Sequence, residues 1–210
     1  MITSEAQLRS LYAAPAERAI HKQQTQLDVY CQQFIALSPL CVLATGGAAG
    51  SLMDASPRGG APGFVHIHDA HTLWLPDAGG NNRLDSFMNL LHDPRIGLFF
   101  MVPGMNETLR INGTARLRDE PLYTQRFAAE HFTPKLVVEI QVQEAYLHCG
   151  KALLRSKLWR PEAQINRDLL PSMNQMIHSQ LGLPPAQESQ QRMEERYARQ
   201  IATERGLGKP

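Results

Sequence analysis

The sequence predicts a mainly β, α+β protein whose centre is an antiparallel barrel, with helices before and after it. Three observations carry this expectation. Residues 40–147 contain about six short apolar runs joined by hairpin-type turns. No regular alternation of strand and helix is present, so a doubly wound sheet is not expected. Two longer runs, 107–118 and 137–147, alternate apolar and polar residues as half-buried strands do.

The elements follow in order. Ser4 through Gln7 reads as a capping box ahead of Leu8, Leu11 and Tyr12, and Pro15 opens a second helix expected to run to about 36. Ile20, Leu27, Tyr30, Phe34 and Leu37 form its apolar stripe. Leu40 to Thr45 is a buried strand, ended by Gly46-Gly47-Ala48-Ala49-Gly50 and returned as a hairpin into 52–56. Residues 64–67 and 72–75 bracket His68-Asp69-Ala70-His71 as a second hairpin. Leu84, Phe87, Met88 and Leu91 space a helix over 82–92, stopped by Asp93-Pro94. Residues 96–102 are apolar on both faces and belong in the middle of the sheet.

Leu109, Ile111, Ala115 and Leu117 share one face of the next strand, opposite Thr108, Arg110, Asn112 and Arg116; Gly113 marks a bulge. A short helix follows Glu120-Pro121, and Val138, Ile140 and Val142 alternate with Glu139, Gln141 and Gln143 in the last strand. Beyond Trp159 the character changes to two helices, 169–181 and about 186–205, thin in apolar residues and suited to lie along a subunit or partner. The expected organisation is N-terminal helices over 1–39, the barrel over 40–161 and a helical extension over 162–210.

Composition narrows the function classes. The 210 residues are 43% hydrophobic, enough for a core, and the net charge of +1 gives no broad basic field for nucleic acid or anionic lipid. Cys31, Cys41 and Cys149 are widely spaced and odd in number, which speaks for structural thiols in a reducing compartment. No run approaches the roughly 20 apolar residues of a membrane span, and the first residues carry no secretory pattern, so a cytoplasmic protein is expected. Walker, Rossmann and nucleophile-elbow motifs are missing from the sequence.

Three places have the chemistry of anion sites: the turn Ser56-Pro57-Arg58-Gly59-Gly60, the segment Gly80-Asn81-Asn82-Arg83 at the expected start of a helix, and Arg110 on a strand's polar face. Helix starts offer unpaired N–H groups and a positive dipole end, and arginine adds forked donors. A phosphate-bearing ligand is the first expectation. Arg110 has an alternative as a surface ion pair with Glu107 or Glu139. His66, His68, His71 and Asp69 could ligate zinc or nickel, but the alternation reads more simply as the solvated side of a hairpin, and no metal site is expected.

Four motifs in order, GSLMDASPRGGAPGF at 50–64, TLWLPDAGGNNRLDSFMNLLHDPRIGLFFMVPG at 72–104, ETLRINGTARL at 107–117 and EAYLHCGKALLRSKLW at 144–159, resemble the FMN-binding split-barrel proteins related to pyridoxamine 5'-phosphate oxidase. Within them the resemblance is to the bacterial subgroup of FMN-dependent enzymes without an assigned substrate. It implies an antiparallel split barrel, a homodimer with FMN at the interface, and oxidoreductase chemistry with NAD(P)H as a possible electron donor. By resemblance Asp54, Ala55, Ser56, Pro57 and Arg58 lie along the flavin, Leu75, Pro76 and Asp77 border the ribityl chain, and Asn82 and Arg83 hold the phosphate. Thr108 and Arg110 fall at the flavin edge, and Lys151, Ser156 and Trp159 reach the cofactor from the second subunit.

The resemblance has limits. The oxidase carries a serine-arginine-lysine run where this chain has Asn81-Asn82-Arg83, and an arginine-rich C-terminal signature where this chain has Arg160-Pro161-Glu162. The expectation is therefore FMN binding without vitamin B6 oxidation, with Arg58 and Arg110 as candidates for substrate orientation. Two other readings stay open: a non-catalytic flavin or haem binder, with His131, His148 or His178 as haem ligand, and a deazaflavin-dependent reductase.

Overall fold

A computed structural model describes residues 1–130 and 132–204. Seven antiparallel strands form one sheet that curls into a split barrel without closing: β1 (Leu40–Thr45), β2 (Asp54–Gly59), β3 (His66–Asp69), β4 (Thr72–Pro76), β5 (Arg95–Met101), β6 (Thr108–Arg118) and β7 (Val137–His148). Their spatial order is β2-β1-β5-β6-β7-β4-β3, which puts β5 well inside the sheet and β2 and β3 at its edges. The core is made by alternate residues of one face, among them Cys41, Leu43, Leu73, Leu75, Leu98, Phe100, Leu109, Ile111 and Ile140. Each large side chain so buried contributes about 1.5–3 kcal/mol.

Gly113 sits at a register shift between β6 and β7, and a Cβ there would run into the carbonyl of Gln141. Only glycine lets the two long strands stay paired through that bend.

The N-terminal helical expectation needs correction. The chain forms α1 (Glu5–Arg9), α2 (Glu17–His21) and α3 (Val29–Leu37) instead of one helix from Pro15 to 36. Between α2 and α3, Gln24 exchanges both backbone hydrogen bonds with Ala145, and the Leu27 N–H donates to Ala70 at 2.8 Å. Asp28 starts α3 afresh by accepting the Cys31 N–H at 2.7 Å, which also holds its own carboxyl below the usual range. The core-facing stripe is accordingly Leu27, Cys31, Phe34 and Ile35, while Ile20, Tyr30 and Leu37 are exposed. At α1, Ser4 caps the Gln7 N–H, but the Gln7 side chain reaches back to Thr3 and not to Ser4.

The helix expected over 82–92 is α4 (Asp85–His92), three residues shorter at its start. Phe87 and Leu90 enter the core from it. The short helix after Glu120 is α5 (Pro121–Thr124), and α6 (Lys151–Ser156) follows β7 directly. The two tail helices are α7 (Met173–Gln180), begun by a complete Ser172–Gln175 capping box, and α8 (Gln190–Glu204). Both start later than expected, since Pro171 and the Pro184-Pro185 pair lie ahead of them. Among the described residues no helix is long and apolar enough to cross a membrane.

Candidate functional site

Strand β2 presents alternate residues to opposite sides. Asp54, Ser56 and Arg58 are half-buried, whereas Ala55, Pro57 and Gly59 are exposed. The Arg58 guanidinium lies 3.5 Å from Asp77 Oδ1 and 5.1 Å from the Phe87 ring centroid, and Nη2 donates to Ser86 Oγ at 3.4 Å. Ser86 in turn donates to Asp54 Oδ2 at 2.5 Å. Burial pushes the Asp77 carboxyl upward, opposed by the charges of Arg58 and Lys135. Arg58 Nε is buried and has no hydrogen-bond partner among the described residues.

Beside this cluster runs the loop from β4 to α4. Leu75 turns its side chain into the core at 1% exposure, so only its backbone can face a ligand, while Pro76 and Asp77 are half-buried. Asn82 and Leu84 both adopt left-handed backbone, with φ of 58° and 59°. That conformation is uncommon outside glycine and ends the loop abruptly before Asp85. Asn82 and Arg83 therefore precede the helix and do not belong to its first turn. Arg83 is exposed, its Nε donates to Asp85 at 2.7 Å, and its N–H donates to Asn81 Oδ1 at 3.0 Å. Gly80 opens onto free space, and the space a Cβ would take at Gly79 holds the carboxylate of Glu204 from α8. An oxyanion can thus approach this backbone to contact distance.

The other side of the sheet carries the second set. Direct pairs in register, Pro57–Val42–Phe99–Arg110–Tyr146 and Ala55–Ala44–Gly97–Asn112–Glu144, point the same way. Their small members open a cavity of about 350 Å³, walled by Phe99 and Leu153 and reached by Arg110, His148 and Cys149. Thr108 and His148 face each other across β6 and β7, and Thr108 Oγ1 and His148 Nδ1 are buried without partners among the described residues. Arg110 stacks over Tyr146 at 5.3 Å and makes no ion pair among the described residues. Of its two expected alternative partners, Glu139 is taken by Arg118 at 2.8 Å, and Glu107 makes no ion pair among the described residues.

Lys151 opens α6 and is exposed, Ser156 Oγ donates to Leu153 O at 3.1 Å, and Trp159 Nε1 donates to Met105 O at 2.6 Å. The sequence-derived candidates thus form two groups. Asp54, Ser56, Arg58, Asp77, Asn82 and Arg83 lie on and beside the α4 side of the sheet, and Ala55, Pro57, Thr108 and Arg110 belong to the opposite face. Ser86, which links Arg58 to Asp54, escaped sequence reasoning; its signal is a serine on the apolar stripe of α4.

The hairpin histidines are not simply solvated. His68 stacks on Trp74 with centroids 4.4 Å apart and planes 11° apart, and His66 tilts against the same ring at 5.5 Å. Trp74, Phe127 and Val137 make a second small core there, and both imidazoles pack on its indole. Desolvation, followed by the charge of Arg126, lowers the His66 pKa. Among the described residues no three His, Cys, Asp or Glu side chains gather as a metal site. Cys31 and Cys41 are buried with thiols pushed up to about 12 by desolvation, whereas Cys149 is exposed at the cavity. Of the possible haem ligands, His178 Nδ1 is engaged by Pro184 O at 2.6 Å, and His131 lies outside the described residues.

An open seven-stranded antiparallel sheet with flanking helices defines a split-barrel protein. The chain belongs to the pyridoxamine 5'-phosphate oxidase family, whose model matches residues 27–149. Curated proteins give no match. Similar solved structures include HupZ of Group A Streptococcus, 19% identical over 58% of this chain and 93% of that one, with a TM-score of 0.47. An FMN-binding protein from Syntrophomonas wolfei is 10% identical over 56% and 83% of the two chains, with a TM-score of 0.43. A FAD binding protein from Mycobacterium smegmatis is 11% identical over 60% and 97%, with a TM-score of 0.42.

Proposed function

We propose that the protein is a homodimeric flavin-dependent oxidoreductase that holds FMN between its subunits. One protomer supplies Arg58, Asn82 and Arg83, and its partner supplies Thr108 and Arg110 with the segment bearing Lys151, Ser156 and Trp159. The observation that carries this reading is the placement of the candidate residues on two opposite sides of one sheet, with buried donors lacking partners among the described residues on both: Arg58 Nε on one side, Thr108 Oγ1 on the other. One small ligand cannot meet both groups within a single protomer. A second copy brings the two half-sites together.

The residues fit the group. A guanidinium nitrogen unpartnered among the described residues and the open backbone at Gly80 suit a phosphate and polar ribityl chain, and the apolar row Val42, Ala44, Phe99 suits a flat ring. When bound, the flavin supplies hydride or electron transfer, with NAD(P)H a candidate donor. The chain's own residues bind and orient it, and the sheet face excludes water from the ring. Family membership supports the same reading, since the family takes its name from an oxidase. Absorbance and mass spectrometry of the purified protein test it, followed by asking whether NADH or NADPH bleaches the chromophore. A haem spectrum, a deazaflavin mass or a protein that takes up no FMN on titration would overturn it.

A further inference from the structure

The final turn of α8 reaches back to the loop between β4 and α4. Glu204 is half-buried there, and its carboxylate fills the space that a side chain at Gly79 would take. Neither Gly79 nor Gly80 adopts left-handed backbone, so no turn conformation calls for glycine at these two positions. What the bare backbone provides is close approach. The group that approaches is an oxyanion, beside the open backbone of Gly80 and shortly before Asn82 and Arg83.

This carboxylate has no cation of its own. Among the described residues Glu204 makes no ion pair, while Arg58 pairs with Asp77 and Arg83 with Asp85. Nor is α8 fastened to the barrel. Among the described residues, the hydrogen bonds that side chains make between α8 and the rest of the chain run to Arg167, Glu188 and Ser189, all in the tail. The end of the helix rests on the loop by a contact that little holds in place.

We propose that α8 is a C-terminal strap over the phosphate loop: Glu204 and a phosphate ester compete for the Gly79–Arg83 backbone, and binding the ester releases the end of the helix. Two anions at one loop repel each other, so the carboxylate lowers affinity for the phosphate and the phosphate lowers affinity for the strap. The proposal rests on the flavin reading for the identity of the ester, FMN. The competition itself concerns the phosphate alone.

The test takes the full-length protein and Glu204→Gln, dialysed free of any bound cofactor, and titrates both with FMN, riboflavin and inorganic phosphate by calorimetry. Glu204→Gln keeps the length of the side chain and removes its charge. It should bind FMN and inorganic phosphate about tenfold more tightly than the wild type, and riboflavin equally, because riboflavin brings no phosphate. In the wild type, FMN should speed hydrogen exchange in the final turn of α8 and riboflavin should not. Phosphate affinities that are unchanged or weaker in Glu204→Gln, an equal gain for riboflavin, or exchange in α8 that stays the same or slows with FMN would overturn the proposal. Failure of the flavin reading shows separately, as proteins that take up no FMN while inorganic phosphate still binds more tightly to Glu204→Gln. If neither protein binds phosphate in any form, the strap has nothing to compete with and the proposal falls.

Discussion

Arg58 and Asp77 join the two margins of the open barrel. Strand β2 is one edge of the sheet and β4 lies next to the other, yet the Arg58 guanidinium stands 3.5 Å from the Asp77 carboxylate just beyond the end of β4. Among the described residues backbone hydrogen bonds do not close this seam, so a side-chain pair with 22% and 16% of its side chains exposed does part of that work. Removing one partner leaves the other charge half-buried, which costs more than the pair itself contributes.

Asp77→Ala should therefore destabilise the protein by about 1–3 kcal/mol at neutral pH, and Asp77→Asn by less, because the amide still accepts a hydrogen bond. The pH dependence has a definite sign. Burial raises the Asp77 carboxyl above 3.8, so the folded state holds its proton more tightly than the unfolded one. That contribution is full below the unfolded value and is lost as pH rises through the folded one. Wild-type stability measured relative to Asp77→Asn should fall across this window in urea unfolding. Asp93 behaves oppositely: Arg95 holds it at about 2, so its contribution is present above 3.8 and lost as pH falls through about 2. A wild-type advantage that grows with pH would contradict the assignment at Asp77.

Arg83 gives a ligand-side outcome. Its side chain is exposed and, among the described residues, pairs with Asp85 alone, so truncating it should leave the fold unchanged. Under the proposed function, Arg83→Ala should weaken FMN about ten- to a hundredfold and riboflavin hardly at all, because only FMN carries the phosphate. Equal losses for both, read by fluorescence titration, would remove Arg83 from the phosphate site.

The β3–β4 hairpin separates its histidines. His68→Ala uncovers the face of Trp74 and should cost about 0.5–1.5 kcal/mol, with a red shift of tryptophan emission. Replacing His71, whose side chain makes no aromatic contact among the described residues, should stay within about 0.5 kcal/mol. Equal small effects at both positions, without a spectral change, would mean that the His68–Trp74 stack contributes nothing in solution.

What the sequence made legible follows from how local each signal is. Alternation in 107–118 and 137–147, the Gly113 bulge and the apolar run of β5 depend on nearest neighbours, and each appears where expected. The break at Gln24 does not, because it is imposed by pairing with Ala145, more than a hundred residues away. The start of α4 departs from the expectation for a related reason: two left-handed residues that are not glycine leave no mark in composition. At the candidate site, residue types were readable but sidedness was not. The twofold alternation of β2 sends Arg58 inward and Pro57 outward, and only the register with β1 fixes which is which.

Trp159 links this sidedness to assembly. Its indole N–H donates to Met105 O at 2.6 Å, which pins the segment after α6 to the β5–β6 loop at the margin of the outward sheet face. That face carries half-exposed Val42, Phe99 and Met101, and the tail beyond it leaves Leu154, Leu158, Leu169 and Leu170 exposed. So much unpartnered apolar surface is consistent with a second copy, which should bury well over the roughly 1,000 Å² of a specific interface. Trp159→Phe keeps the ring and loses one hydrogen bond, about 1 kcal/mol, and should leave the proposed dimer intact. Trp159→Ala frees the segment, and both dimerisation and flavin retention should fall together in light scattering and absorbance. A Trp159→Ala protein that turns monomeric yet retains FMN at full affinity would show that the two half-sites are not shared between subunits.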